Sequence, residues 1–185
     1  MFYMKKTFIA AVIASVSSIA TLGVAHAEDG TIDFTGEIVT NTCTIGGAGK
    51  NFSVALPPVS TTSLAAGGQT AGTTGFAIEL INCDPKSGQV TAFFEADAGV
   101  DMNSGRLKNL TPTPVGAGNV QVELLNENFG PIKIGAPVNL QNLVYADIDT
   151  VTGGAKLQYF ARYYATALAE AGDVDAKARY TLTYQ

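Results

Sequence analysis

Cys43 and Cys83 offer the most chemistry in this sequence: two thiols about 40 residues apart, with no third cysteine. Such a pair can hold a metal, arm a nucleophile or close a disulfide. The first two need imidazole or further thiols as partners. The one histidine, His26, sits in a segment expected to be cut away. An even pair in an exported chain reads as a disulfide. Closing a loop of that size contributes roughly 4 kcal/mol in the chain-entropy picture, less any strain.

Export is read from the first residues. Lys5 and Lys6 form a positive start, Thr7 to Val24 is apolar and small, and Ala25-His26-Ala27 is a small-residue cleavage site. Met4, opening M-K-K, is an alternative start. A membrane anchor is the competing reading, but Ser15, Ser17, Ser18, Thr21 and Gly23 dilute the apolar stretch and no basic flank follows. Residues 1–27 are therefore expected to be a cleaved signal peptide, with Glu28 first in the mature chain. Removing Lys5 and Lys6 from the 11 basic residues leaves nine against 16 acids, a net charge of −7. So acidic a chain is a poor partner for nucleic acid or an anionic membrane, and its length suits one domain.

Other catalytic patterns are weak. Glu79, Glu95 and Asp97 are candidate carboxylates for a glycosidase pair, yet single acids on alternating strands are ordinarily a solvated face. Asp147 to Gly153 resembles a calcium loop, but Val151 occupies a ligand position and Gly153 comes one place late, so a hairpin turn is the better reading. Asn51-Phe52-Ser53 and Asn109-Leu110-Thr111 are formal glycosylation sequons without meaning behind a bacterial-type leader. Arg162 with Tyr159, Tyr163 and Tyr164 makes a candidate sugar patch, which strand packing explains more simply. No catalytic residue, metal or cofactor is expected.

The elements that would position these residues are short strands. Gly, Pro, Asn and Ser clusters punctuate the chain every 8 to 14 residues. Between them lie expected strands at 51–56, 75–82, 90–96, 120–125, 137–143, 156–166 and 174–184. Leu64 and its neighbours suit a short helical turn, stopped by Gly67 and Gly68. The whole reads as all-β, a sandwich or barrel.

The two ends are the most regular segments. Val174, Ala176, Ala178, Tyr180, Leu182 and Tyr184 alternate with polar residues, the mark of a half-buried strand. With no following strand in view, its edge needs a partner, because an exposed apolar edge invites aggregation. Near the other end, T-I-D-F-T-G-E-I-V puts Ile32, Phe34 and Ile38 on one face with Gly36 between them, and Asp33, Thr35 and Glu37 on the other. This is an ordinary first strand or a strand meant for another molecule.

The order G-T-I-D-F-T-G-E-I-V-T-N-T-C, then F-A-I-E-L-I-N-C-D, A-R-Y-Y-A-T and A-R-Y-T-L-T-Y-Q, resembles chaperone–usher pilins, above all major subunits of type 1-like fimbriae. The likeness runs from Gly30 to Gln185. It implies an incomplete immunoglobulin-like sandwich lacking the last strand, completed by a donor strand from another subunit, a known case of strand addition. It implies a donor-strand extension at 28–42 and a pilin domain at 43–185. Ile32, Phe34, Gly36 and Ile38 would be the donor face, with Gly36 leaving room for a bulge. Ala176, Ala178, Tyr180, Leu182 and Tyr184 would line the acceptor groove. A periplasmic chaperone would hold that groove, with its basic residues on the Gln185 carboxylate, and would deliver the chain to an outer-membrane usher. Such head-to-tail contacts with identical or related subunits do not close and so build filaments. The expected role is a structural shaft subunit at the cell surface. The alternatives are a minor fimbrial adaptor or a monomeric secreted β-sandwich binding protein.

Overall fold

A computed structural model describes Ile32 and residues 42–185; the donor-face residues Phe34, Gly36 and Ile38 lie outside the described residues. Two compact units are distinguished, Met1–Glu37 and Ile38–Gln185. Of the first, Ile32 is described, and it is exposed.

In the second unit, β1 (Thr42–Ile45), β2 (Thr70–Asp84), β3 (Gln89–Phe94), β4 (Val100–Asp101), β5 (Arg106–Lys108), β6 (Val120–Leu125), β7 (Ala146–Asp147), β8 (Ala155–Ala165) and β9 (Tyr180–Tyr184) form two sheets. The larger runs β1-β2-β8-β6-β5-β4 and the smaller β7-β3-β9. Every pairing between these strands is antiparallel. This is the expected all-β architecture, with short strands and turns where Gly, Pro and Asn cluster.

The core follows from alternation. Ile78, Leu80, Val122, Leu124, Leu157, Tyr159 and Ala161 of the larger sheet pack against Val90, Ala92 and Phe94 of the smaller. Phe94 meets the Tyr159 ring edge-on, with centroids 5.2 Å apart, the arrangement that aromatic quadrupoles favour. The Tyr159 hydroxyl accepts from the Ala92 N–H at 3.1 Å. Thr91 donates to the Val144 carbonyl at 2.8 Å, which leaves its oxygen free to accept from Tyr159 at 3.3 Å. On the opposite face of the larger sheet, Glu123 is buried between two guanidinium groups: Arg106 donates at 2.9 Å and Arg162 at 2.6 Å.

Cys43 and Cys83 form a disulfide that joins β1 to the end of β2. The turn Thr61–Leu64 is a single 3-10 turn capped by Ser60. The Asp149 carboxylate accepts from the Val151 and Thr152 N–H groups, closing the turn between β7 and β8. The acidic stretch is thus a turn, but not the expected hairpin, because β7 pairs with β3 and β8 with β2 and β6, in different sheets. The expected strand at 137–143 is corrected: it is a 3-10 turn, Val138–Leu140. Pro137 has no N–H for a ladder, and Asn142 takes φ 61. Fully buried Gln141 takes over the strand's work, accepting from the Phe94 N–H at 3.1 Å and donating to the Phe94 carbonyl at 2.8 Å.

Candidate functional site

The expected strand at 174–184 is paired as a strand over Tyr180–Tyr184 alone. Before Tyr180 the chain stays extended, and one side of it is tied down. Leu110 donates to the Asp175 carbonyl at 2.7 Å, and Glu95 to the Arg179 carbonyl at 2.9 Å. Asp175 donates to the Asn109 side chain at 3.0 Å. The backbone N–H groups from Ala176 to Arg179 find no acceptor among the described residues. Val174, Ala176, Ala178 and Tyr180 are half-buried while Asp175, Lys177 and Arg179 are exposed, as period-2 alternation requires.

A second extended segment faces the same space. Residues 51–56 alternate, with Phe52, Val54 and Leu56 half-buried and Asn51, Ser53 and Ala55 exposed. Alternation made this a strand from the sequence, and its shape is one, but it belongs to neither sheet. Its N–H groups also find no acceptor among the described residues. Pro57 and Pro58 end it, since two successive residues without N–H cannot extend a ladder.

Between the segments lies a groove of about 1130 Å³. Phe76, Leu107, Val122, Leu124, Ala161 and Tyr163 line it from the larger sheet, and Phe94 from the smaller. Phe52 packs on Phe76 at 6.1 Å between centroids and Phe76 on Tyr159 at 5.7 Å, so an aromatic row underlies one end. Tyr180 and Lys50 tie the walls together there, the phenol donating to the Lys50 carbonyl at 3.2 Å. Burial pushes the Tyr180 and Tyr163 phenols up from their ordinary range, so neither is poised for proton transfer near neutrality. Two unsatisfied strand edges on either side of an apolar floor are chemically suited to one thing, an added β-strand.

The expected acceptor residues divide along the strand. Ala176, Ala178 and Tyr180 line the groove. Leu182 and Tyr184 continue the same face in β9 and pack against the core. The Tyr184 oxygen accepts from the Cys43 N–H at 3.0 Å, and the Gln185 backbone pairs with Gln89 in both directions at 2.9 Å. Sequence reasoning did not assign the opposite wall, Phe52, Val54 and Leu56, to the groove. Its alternation was visible, but the partner it lacks was not.

The other candidates do not converge. Glu79 is on β2, the Glu95 carboxylate accepts from Thr181, and Asp97 closes its own turn by accepting from the Gly99 N–H at 2.8 Å. Alternation splits the aromatic patch. Tyr159 is in the core, whereas Arg162 binds Glu123 and Tyr164 lies under the Arg106 guanidinium, 3.4 Å from its centroid.

Comparison with known proteins agrees with this geometry. The family model described as "Type-1 fimbrial protein, A" matches residues 56–185. The chain is 44% identical to "Major fimbrial subunit SMF-1" of Stenotrophomonas maltophilia, over 86% of this chain and 95% of that one. It is 40% identical to the "F17 fimbrial protein" of Escherichia coli, over 98% and 99%. In fold it resembles a chaperone–usher pilus chain (TM-score 0.58, 22% identity, 85% of this chain and 96% of that one). It also resembles the P pilus rod subunit PapA (TM-score 0.54, 22% identity, 77% and 99%). The sandwich is thus the incomplete immunoglobulin-like fold of those pilins, and the chain belongs to the FimA family of type-1 fimbrial proteins, structural subunits of surface fimbriae.

Proposed function

We propose that this chain polymerises by donor-strand exchange: residues 31–39 of one copy enter the groove of the next and complete its sandwich. The open groove between residues 51–56 and 174–180 carries this reading. Its walls lack strand partners among the described residues, its floor is apolar, and the segment around Phe34 has the alternation such a site accepts. Burying Ile32, Phe34 and Ile38 contributes roughly 1.5–3 kcal/mol each, and the new ladder satisfies N–H groups that are costly to leave unmade. Donor and acceptor are different surfaces, so the assembly is an open filament.

The remaining assignments belong to this reading. Residues 1–27 are a signal peptide that directs periplasmic transit, 28–42 are the donor extension and 43–185 the pilin domain. A chaperone strand holds the groove before assembly, along the face from Ala176 to Tyr184 and at Gln185, and an usher exchanges it for the next subunit. The role is mechanical, with no catalytic step.

The test is an SDS gel of surface-sheared material, run unheated and boiled. Strand-exchanged polymers appear as an unheated ladder at subunit multiples that collapses to monomer on boiling, and Phe34→Asp abolishes it. A wild type that runs only as monomer without heating sinks the reading.

A further inference from the structure

Lys177 and Arg179 stand exposed on the rim of the groove. The ion pairs among the described residues are those of Glu123 with Arg106 and Arg162, so neither rim cation has a carboxylate partner there. They stand together on this edge in a chain that has nine basic residues after the leader against 16 acids. The segment proposed to enter carries acids on its polar face, Asp33 and Glu37, where the alternation of Ile32, Phe34 and Ile38 turns them outward.

We infer that these charges help fix the register in which residues 31–39 of a second copy pair with residues 175–183. This rests on the strand-exchange reading above. The named strands all pair antiparallel, β9 with β3 among them, and the incoming strand is taken to continue that pattern along this edge. Placing Glu37 opposite Lys177 sets Thr35 opposite Arg179, with Asp33 and Glu37 both diagonal to Arg179 and within reach of its long side chain. The same register sets Phe34 opposite Tyr180, Gly36 opposite Ala178 and Ile38 opposite Ala176. A slip of two residues one way trades the Glu37–Lys177 pair for Asp33 opposite Arg179 but sets Glu37 against Asp175, and like charges directly opposite are destabilising. A slip of two the other way sets Glu37 opposite Arg179, so charge does not oppose it, but it leaves Ala176 without an apolar partner. A slip of one inverts the faces and exposes every apolar side chain. Hydrophobic burial therefore chooses the face, and the rim charges together with the cover of Ala176 choose among the even registers.

Charge reversal tests this in the full chain, read as the half-life of the unheated ladder at a fixed elevated temperature in SDS. Glu37→Lys alone and Lys177→Glu alone each place like charges at every junction. Each is expected to shorten the half-life about three- to tenfold, with the deficit shrinking in high salt. The double variant restores attraction at every junction. Co-expression of the two single variants does so too, because each donor then meets a complementary acceptor in an alternating polymer. Both are expected within about twofold of wild type. Boiled samples and disulfide formation report that the single variants fold. Single reversals that leave the half-life unchanged, or a mixture that fails to recover, overturn the register and leave strand exchange standing. A wild type without any ladder overturns the strand-exchange reading and this inference together.

Discussion

Tyr184 in β9 accepts a hydrogen bond at 3.0 Å from the backbone N–H of Cys43, 141 residues away in sequence. The disulfide holds Cys43 against Cys83, so the strand that continues the groove wall is moored to the covalent staple of the opposite sheet. Tyr184→Phe keeps the ring and removes the acceptor, which costs about 1 kcal/mol. A melting temperature lower by about 2–4 °C is expected for a domain of this size. Replacing both cysteines with serine costs roughly 4 kcal/mol. In that background the tyrosine change has a smaller effect, because Cys43 no longer holds its position; additive melting temperatures would contradict the mooring.

Ala178 is small where the groove needs space. Its side chain is half-buried and faces the floor, while the N–H groups beside it await a strand. Ala178→Phe fills that space from the wall, and overpacking an inserted strand costs roughly 1–3 kcal/mol or more. The expected result is a chain that forms its disulfide and runs as monomer after boiling, yet yields little or no unheated ladder. A ladder of wild-type strength places the entering strand elsewhere.

Burial in the core pushes the Tyr159 phenol above its ordinary value of 10.0, a shift that its bonds with Thr91 and Ala92 only partly oppose. The unfolded chain ionises near 10 and the folded chain holds its proton to higher pH. The stabilisation is therefore complete below pH 10 and lost as pH rises through the folded value. Tyr159→Phe removes this contribution. Near neutrality it costs about 1–2 kcal/mol by leaving the Ala92 N–H without its acceptor. Between pH 9.5 and 11, chemical unfolding of the purified monomer should show stability falling less steeply in the variant than in wild type. A residual slope from Tyr163 and Tyr180, whose phenols burial also raises, is expected in both. Parallel slopes would show that Tyr159 is not the group titrating.

Which face of each regular segment turns inward is legible in local residue order alone. Two-residue periodicity at 51–56 and 174–184 survives in the observed alternation of half-buried and exposed residues, because a strand's side chains must point alternately whatever lies beside it. The disulfide was legible for the same kind of local reason, two thiols with no other partner in an exported chain. Tertiary structure decided what lies at each strand's edges, since backbone pairing joins residues far apart in sequence. That is why 174–179 and 51–56 look like sheet strands in sequence and face each other across a groove with edges unpaired among the described residues. It is also why 137–143, apolar and strand-like, turns instead, with the Gln141 amide standing in for a ladder. Glu123 gave no signal either: its burial depends on Arg106 and Arg162, which only the assembled sheet brings to it. The groove is a property of edges without partners among the described residues, and edges exist only once the chain has folded.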